Sequence, residues 1–195
     1  PKMAAGELYT SIGMSEPNSG SDLSSVRAKG VKTSEGWRIS GQKVWTTNAH
    51  NAQYMIAALI RTVEGSQRQE GLTQFLIDLS LPGVKVQPII DLVGGHDFNE
   101  VFLDDVLVPD SMRVGEEGAG WKQVTAELSL ERSGPERYIS SLSILLELIR
   151  VAGAQPEAPV ARLIGKLTSE LWTLRQMSMS TAAKLACGDD PALEA

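Results

Sequence analysis

The stretch Trp37-Arg38-Ile39-Ser40 alternates apolar and polar residues, and Val84-Lys85-Val86-Gln87 repeats the pattern. Strict alternation is typical of a strand with one buried side and one solvent-facing side. By contrast, Tyr54-Met55-Ile56-Ala57-Ala58-Leu59-Ile60 is apolar throughout. A short apolar run of this kind predicts a central strand, covered on both faces. Together the three stretches predict a β-domain.

The same pattern extends outward from Glu7 to about Val108. Gly, Pro, Asn and Asp interrupt this part of the chain at intervals of roughly 8 to 12 residues, a spacing typical of sandwiches and barrels. We therefore predict an antiparallel, two-sheet domain within residues 1–115. The expected strands are Leu8–Ile12, Val26–Val31, Trp37–Ile39, Lys43–Thr47, Tyr54–Arg61, Leu72–Ile77, Val84–Ile90 and Glu100–Leu107.

Residues 116–195 have a helical period instead. The apolar residues that carry it are Trp121, Val124, Leu128, Ile139, Leu142, Leu145, Leu146 and Ile149, then Leu163, Leu167, Leu171, Leu174, Ala182 and Leu185. They predict two long helices. The first has about 30 residues, a kink or break at Gly134-Pro135 and an end at Gly153. The second runs from about Pro159 to near Gly188.

Two long helices cannot bury their own apolar faces, so further helices or other subunits are expected to cover them. The chain starts at Pro1 and stops just as helical sequence resumes near Ala195. Both features predict an excised fragment whose second part is an incomplete four-helix bundle.

Charge and cysteine content exclude several classes of function. The chain has 18 Lys and Arg against 24 Asp and Glu, without a basic cluster, which argues against nucleic-acid binding. No apolar run is long enough for a membrane span, and no signal sequence opens the chain. Cys187 is the single cysteine and His50 and His96 are the two histidines, so neither a disulfide nor a zinc site is expected. We therefore expect a reducing compartment, the cytoplasm, with the mitochondrial matrix as the alternative.

Two polar strings stand at predicted strand ends. Ser15-Glu16-Pro17-Asn18-Ser19-Gly20-Ser21-Asp22 has little side-chain bulk, and Gly20 would let a ligand approach the backbone. Taken alone, the string is more typical of an ordinary turn, since turns are rich in these residues. The second string, Gly41 to Asn48, ends in an aromatic ring, two hydroxyls and an amide.

The segments Met14–Asp22 and Ser40–Asn48 closely resemble the two signatures of the acyl-CoA dehydrogenase family. The resemblance continues in order through Phe75–Asp78 with Pro82–Val84, Val101–Pro109 and Gly115–Trp121. It implies the family's middle β-domain over residues 1–115, which binds flavin and acyl-CoA. It also implies the first two helices of the C-terminal domain over residues 116–195, and FAD as the cofactor.

The resemblance implies roles for individual residues. Met14 and Ser15 lie where the family contacts the isoalloxazine ring of FAD, with Ser15 replacing the commoner Thr. Gly20 and Ser21 match positions that meet the diphosphate and the thioester ligand. The remaining flavin contacts would be Trp45, against the ring face opposite the substrate, then Thr46, and Thr47 at the N5 edge.

Thioester oxidation also needs a carboxylate that removes the α-proton. Most family members carry it beyond the end of this chain, but a minority place it in a Leu-x-x-Glu-Arg context on the first C-terminal helix. Here that context is Leu128 to Arg132, so Glu131 matches the base and Arg132 matches a residue that borders the substrate. One alternative is that Glu131 is a solvated surface charge. The nearby Glu136 is a second carboxylate that could be mistaken for the base.

The resulting prediction is a fragment, inactive alone, of an FAD-dependent acyl-CoA dehydrogenase. Its implied partners are acyl-CoA, an electron-transfer flavoprotein and further copies of the same chain in a tetramer or dimer. An acyl-CoA oxidase or flavin monooxygenase of the same fold is the nearest alternative, and a noncatalytic assembly module is the second. The glycines of Gly115–Gly120 predict a loop that opens a helix, and His50 and His96 predict surface residues.

Overall fold

The computed structural model describes residues 2–132 and 134–189, apart from the side chains of residues 57, 58, 129, 130 and 132. It divides the chain into a first unit that ends at Val124 and a second that begins at Thr125. In the described residues the first unit contains eight strands: β1 Thr10–Ile12, β2 Lys29–Thr33, β3 Gly36–Thr47, β4 Tyr54–Arg61, β5 Leu72–Asp78, β6 Val84–Ile89, β7 Phe98–Val108 and β8 Arg113–Val114.

Most predicted strands form within a few residues of their expected bounds. The stretches Trp37–Ile39 and Lys43–Thr47 differ, because they join into the single strand β3. Gly41 in its middle has an extended backbone and packs against Ala28, where a Cβ would meet the Ala28 side chain at 2.5 Å. This glycine therefore marks a close approach inside a strand and not a turn.

The prediction of an antiparallel sheet is wrong in part. The strands form one sheet in the order β6-β7-β3-β2-β4-β5-β8, with β1 beside β4. Both β1 and β2 run parallel to β4, while the other pairs are antiparallel. The chain reaches β4 from β1 only after passing through β2 and β3, and such a long connection permits a parallel pair. Turn spacing predicts where strands lie but carries no signal of their direction.

The predicted two sheets correspond to two halves of this one sheet. The halves are joined at a single pair, Lys29 with Arg61. The sheet curls between them, because Trp37 of β3 meets Phe75 of β5 edge-on with ring centroids 5.4 Å apart. The core lies between the two halves, and its large members are Trp37, Ile39, Met55, Ile60, Phe75, Ile77, Val101, Leu103, Val106 and Val108.

The prediction of two long helices is also wrong. The described residues form four α-helices: α1 Gly120–Arg132, α2 Glu136–Ile139, α3 Leu142–Ala152 and α4 Ala158–Cys187. The break at Gly134-Pro135 and the long last helix were predicted. The interruption at Ser140 and Ser141 was not, because both residues keep right-handed helical dihedrals and the apolar period continues across them.

The second unit leaves much apolar surface exposed. Its α4 ends at Gly188, whose φ of 79° suits a glycine C-cap. Ile144 of α3 and Trp172 of α4 are more than half exposed. Nowhere in the described residues is a helix both long and apolar enough to cross a bilayer.

Candidate functional site

The loop after β1 is held in shape by its own hydrogen bonds. The backbones of Glu16 and Ser19 exchange two bonds of 2.9 and 3.0 Å, and the Ser19 hydroxyl donates to the carbonyl of Asp22 at 2.9 Å. Past this turn, Gly20 and Ser21 are exposed. No atom lies within 4 Å of the position that a Cβ would take at Gly20. The hydrogen-bonded turn therefore presents the backbone of Gly20 and the residue Ser21 to solvent.

The start of this loop is docked onto the end of β3. The Val44 amide donates to the carbonyl of Ser15 at 2.9 Å, and the Lys43 ammonium lies 3.5 Å from the carbonyl of Met14. Met14 and Ser15 are half-buried. The structure thus brings the two strings together, although they are separated along the chain by β2 and the first residues of β3.

Trp45 lies in a bulge of β3. The register between β3 and β7 shifts between Lys43 and Thr46, so the strand carries an extra residue there. Trp45 has a φ of +59°, which is a genuine outlier for a bulky side chain. Its side chain is 58% exposed and contacts Phe98 edge-on. Backbone strain that aims a large aromatic ring outward is a feature of binding and catalytic sites.

The two threonines after Trp45 differ in exposure. Thr46 is fully buried, and its hydroxyl has no hydrogen-bond partner among the described residues. Thr47 is exposed at the end of β3, and Asn48 turns the chain with a left-handed backbone. A buried hydroxyl and an exposed hydroxyl therefore follow Trp45 on β3.

A buried amide supports this bulge from behind. The Asn99 side chain is inaccessible to solvent and donates to the carbonyl of Thr46 at 3.1 Å. The same amide pairs with His50 and His96, whose rings stack with centroids 3.9 Å apart. The sequence predicted surface roles for both histidines and did not single out Asn99. The spacing of His50 and His96 along the chain does not predict that their rings stack, because the stacking depends on how β7 pairs with β3.

Glu131 and Arg132 belong to the second unit, at the end of α1. The Glu131 carboxylate is about half exposed and pairs with the guanidinium of Arg137 from α2. The neighbouring Glu136 is also exposed. The side chain of Arg132 lies outside the part of the chain that the structure describes. The base at Glu131 and the substrate contact at Arg132 stay predictions, and Arg137 is a partner that the sequence did not indicate.

The comparison with known families agrees with the folded core and both strings. The family model for the acyl-CoA dehydrogenase middle domain matches residues 11–106, which run from within β1 to within β7. The chain belongs to the acyl-CoA dehydrogenase family. The family is one of oxidoreductases, and the chain spans between about a fifth and a half of the length of the relatives that it matches.

Individual relatives and structures show the same family. Acyl-CoA dehydrogenase IpdE1 of Mycobacterium tuberculosis is 40% identical over 174 residues, covering 87% of this chain and 45% of that protein. A variant of the Tcur3481-Tcur3483 steroid ACAD is 25% identical with a TM-score of 0.83, covering 97% of this chain and 50% of that chain. The FAD complex of PigA is 24% identical with a TM-score of 0.85, covering 99% of this chain and 53% of that chain, and shows the shared fold.

Three features of the loop and of the bulge bear on whether FAD, the cofactor of the acyl-CoA dehydrogenase family, fits this site. The ring of Trp45 presents a flat, exposed face. The hydroxyl of the next residue, Thr46, is buried without a partner among the described residues, and the backbone at Gly20 is open to a diphosphate. A planar ring that carries hydrogen-bonding edges and a diphosphate tail suits this donor set. The residues present therefore fit the family's cofactor.

Proposed function

We propose that this chain supplies the flavin-contacting part of an FAD-dependent acyl-CoA dehydrogenase that oxidises the Cα–Cβ bond of an acyl-CoA thioester. The observation that carries the proposal is the exposed, backbone-strained Trp45 beside the docked Met14-Ser15 loop. Family membership and the exposed hydroxyls of Ser21 and Thr47 support it. In this proposal residues 1–115 form the middle β-domain and residues 116–195 form part of the C-terminal helical domain.

Each residue has one task in this mechanism. FAD, when bound, accepts the hydride that leaves the β-carbon. Trp45 would hold the flavin through its exposed aromatic face. Thr47 donates a hydrogen bond at the ring edge, with Met14, Ser15 and Thr46 beside it. Fixed donors of this kind stabilise the negative charge that develops during hydride transfer, because they need no reorganisation.

The acyl-CoA requires two further groups. Ser21 and Arg132 hold the thioester ligand, while the Glu131 carboxylate takes the proton from the α-carbon. With the hydride acceptor that FAD would supply, removal of the α-proton by Glu131 would leave a double bond between the two carbons. A carboxylate in this role typically contributes a factor of about 10² to 10⁴ in rate. An electron-transfer flavoprotein then removes the electrons, and the protein works as a homodimer or homotetramer.

The test is flavin reduction in the full-length protein. Purified protein should carry flavin absorbance, and anaerobic addition of acyl-CoA should bleach it. Protein that neither retains FAD nor takes it up on reconstitution would contradict the proposal and favour an assembly module. Rapid oxygen consumption with acyl-CoA, in the absence of an electron acceptor, would instead identify an oxidase.

A further inference from the structure

Lys43 lies at the junction of the two signature strings, and its ammonium is inaccessible to solvent. Its Nζ lies 2.8 Å from Oε1 of Glu16, 3.4 Å from the carbonyl of Leu59 and 3.5 Å from the carbonyl of Met14. An ammonium has three N–H donors. Each donor of Lys43 thus has an acceptor within reach, and the three acceptors belong to the loop after β1 and to β4.

The Glu16 carboxylate is equally well satisfied. It accepts hydrogen bonds from the backbone amides of Arg27 at 2.6 Å and Ala28 at 3.0 Å, in addition to the bond from Lys43. Only a carboxylate can accept all three bonds at this place. The pair therefore ties together the flavin-facing loop, the segment that leads into β2, and the end of β3.

The geometry of β4 is also adapted to this pair. Leu59 has a φ of +60°, and the register between β4 and β5 shifts between Ala57 and Ile60. The positive φ is costly for a leucine, because it places the Cβ against its own backbone. A strained residue whose carbonyl meets a buried ammonium indicates that the position of that ammonium matters.

We infer that Lys43 and Glu16 are positioning residues that set the Met14-Ser15 loop against the Trp45 bulge, so that the two halves of the flavin site have one fixed separation. This inference rests on the proposed function. Lys43 precedes Trp45 by two residues, and the backbone of Val44 between them donates to Ser15. A shift of the ammonium would therefore move both halves of the site.

Stability alone does not explain the buried pair of Lys43 and Glu16. Two buried charges lose their hydration, and apolar replacements of buried ion pairs are often neutral or stabilising. An apolar pair at positions 16 and 43 would leave the amides of Arg27 and Ala28 without their acceptor. It would also lack the directional hydrogen bonds that fix the position of the loop against β3.

The experiment compares FAD binding in variants of the full-length protein. Lys43→Met removes the ammonium. Glu16→Asp keeps the negative charge but shortens the side chain, so we expect this milder variant to fold. We expect FAD to dissociate about tenfold to a hundredfold more readily from Lys43→Met, the scale of a displacement of about 1 Å in a site. The visible circular dichroism of the flavin should change, and its fluorescence should rise as the ring leaves Trp45. Glu16→Asp should give the same changes in smaller size.

Two control variants separate positioning from stability. Val106→Ala truncates a fully buried side chain of β7, and Arg38→Met removes an exposed cation from β3 that pairs with Asp105 at 3.2 Å. Val106→Ala should lose thermal stability, yet both controls should bind FAD within about twofold of wild type, as substitutions away from a site do. In the FAD-free protein, the Val44 amide should exchange hydrogen faster in Lys43→Met than in Val106→Ala. The two variants are compared at the same interval below their melting temperatures.

Three outcomes distinguish the two proposals. Wild type that binds no FAD would overturn the proposed function and this inference with it. Wild type that binds FAD, with Lys43→Met showing unchanged affinity, dichroism and Val44 exchange, would overturn the inference alone. The inference alone would also be overturned if Val106→Ala changed FAD affinity, dichroism and Val44 exchange as much as Lys43→Met does.

Discussion

The ring of Trp45 meets the ring of Phe98 edge-on, with centroids 5.9 Å apart and planes at 82°. Phe98 begins β7, beside the bulge that holds Trp45, so the contact supports one edge of an otherwise exposed ring. An edge-to-face pair contributes about 0.5–1.5 kcal/mol beyond area burial. The left-handed backbone at Trp45 costs about 1–2 kcal/mol. Trp45 is therefore held outward at almost no net gain in stability.

Trp45→Gly should accordingly change the free energy of unfolding by less than about 1 kcal/mol, because glycine removes the backbone strain while the ring contact is lost. Trp37→Ala is the matched control, since Trp37 lies on the same strand but is only 1% exposed. It should cost about 3–5 kcal/mol. Urea unfolding measures both values. A Trp45→Gly variant as unstable as Trp37→Ala would show that the Trp45 ring serves the core.

The sequence predicted the positions of most strands because turn residues separate them, and it identified both strings of the site. It did not predict the parallel pairing of β1 and β2 with β4, which depends on long-range register. Lys43 and Glu16 were also missed as partners. A charged residue in an alternating strand is ordinarily solvent-exposed, and their burial depends on a loop that docks from elsewhere in the chain.

The Lys43 charge gives the protein a pH dependence whose direction can be stated. Burial lowers the pKa of Lys43 below its ordinary value of 10.5, and the smaller opposing effect of Glu16 raises it. Between the lowered pKa and 10.5, the unfolded chain binds this proton more fully than the folded chain, so stability increases with pH. This contribution is complete above 10.5 and is lost as the pH falls through the lowered pKa.

The measurement is the difference in unfolding free energy between wild type and Lys43→Met across the alkaline range. Other titrating groups cancel in this difference. Wild type should gain stability relative to Lys43→Met as the pH rises toward 10.5. A difference that moves the opposite way would mean that Glu16 outweighs burial and raises the pKa of Lys43.

A second ionisable group should act in the acid range. The indole N–H of Trp37 donates to the Asp110 carboxylate at 2.7 Å, and this bond is the main reason that the pKa of Asp110 lies below its ordinary value of 3.8. Burial opposes this lowering, and Lys32 and Arg113 each lower the pKa by a smaller amount. The stabilisation is therefore present above 3.8 and is lost as the pH falls through the lowered pKa.

Asp110→Ala should lower the urea midpoint at neutral pH and lower it less at the most acidic pH at which the fold persists. Trp37→Phe keeps an aromatic ring but removes the indole N–H. In a double-mutant cycle the two substitutions should cost less together than the sum of their separate effects, because each removes the same hydrogen bond. Additive losses at both pH values would contradict the coupling.

The exposed apolar residues of the second unit predict association. Ile144, Leu146 and Val151 on α3, with Trp172 and Leu174 on α4, are largely exposed. A soluble monomer rarely exposes apolar patches of this extent. Sedimentation of the 195-residue chain should show dimers or larger species, and Ile144→Glu with Trp172→Glu should reduce them. A strictly monomeric wild-type chain would argue that these faces need no partner.

Glu131 is the residue on which the proposed chemistry depends most. Its carboxylate pairs with Arg137 and is about half exposed within the second unit, an arrangement that would also suit a surface charge. Three variants of the full-length protein distinguish the roles. Glu131→Gln keeps the shape of the side chain but cannot accept the α-proton. Arg137→Met removes only the partner, and Glu136→Gln changes the adjacent carboxylate.

If Glu131 is the base, Glu131→Gln should retain FAD and lose flavin bleaching by acyl-CoA by a factor of about 10² or more, since a positioned base contributes at least that much. Arg137→Met and Glu136→Gln should bleach at rates close to wild type, because the proton acceptor remains in both. Stopped-flow absorbance under anaerobic conditions gives the three rates. Near-normal bleaching by Glu131→Gln would assign the base to another carboxylate and leave Glu131 as the surface partner of Arg137. A loss confined to Glu136→Gln would instead show that the Leu-x-x-Glu-Arg context misplaced the base by five residues.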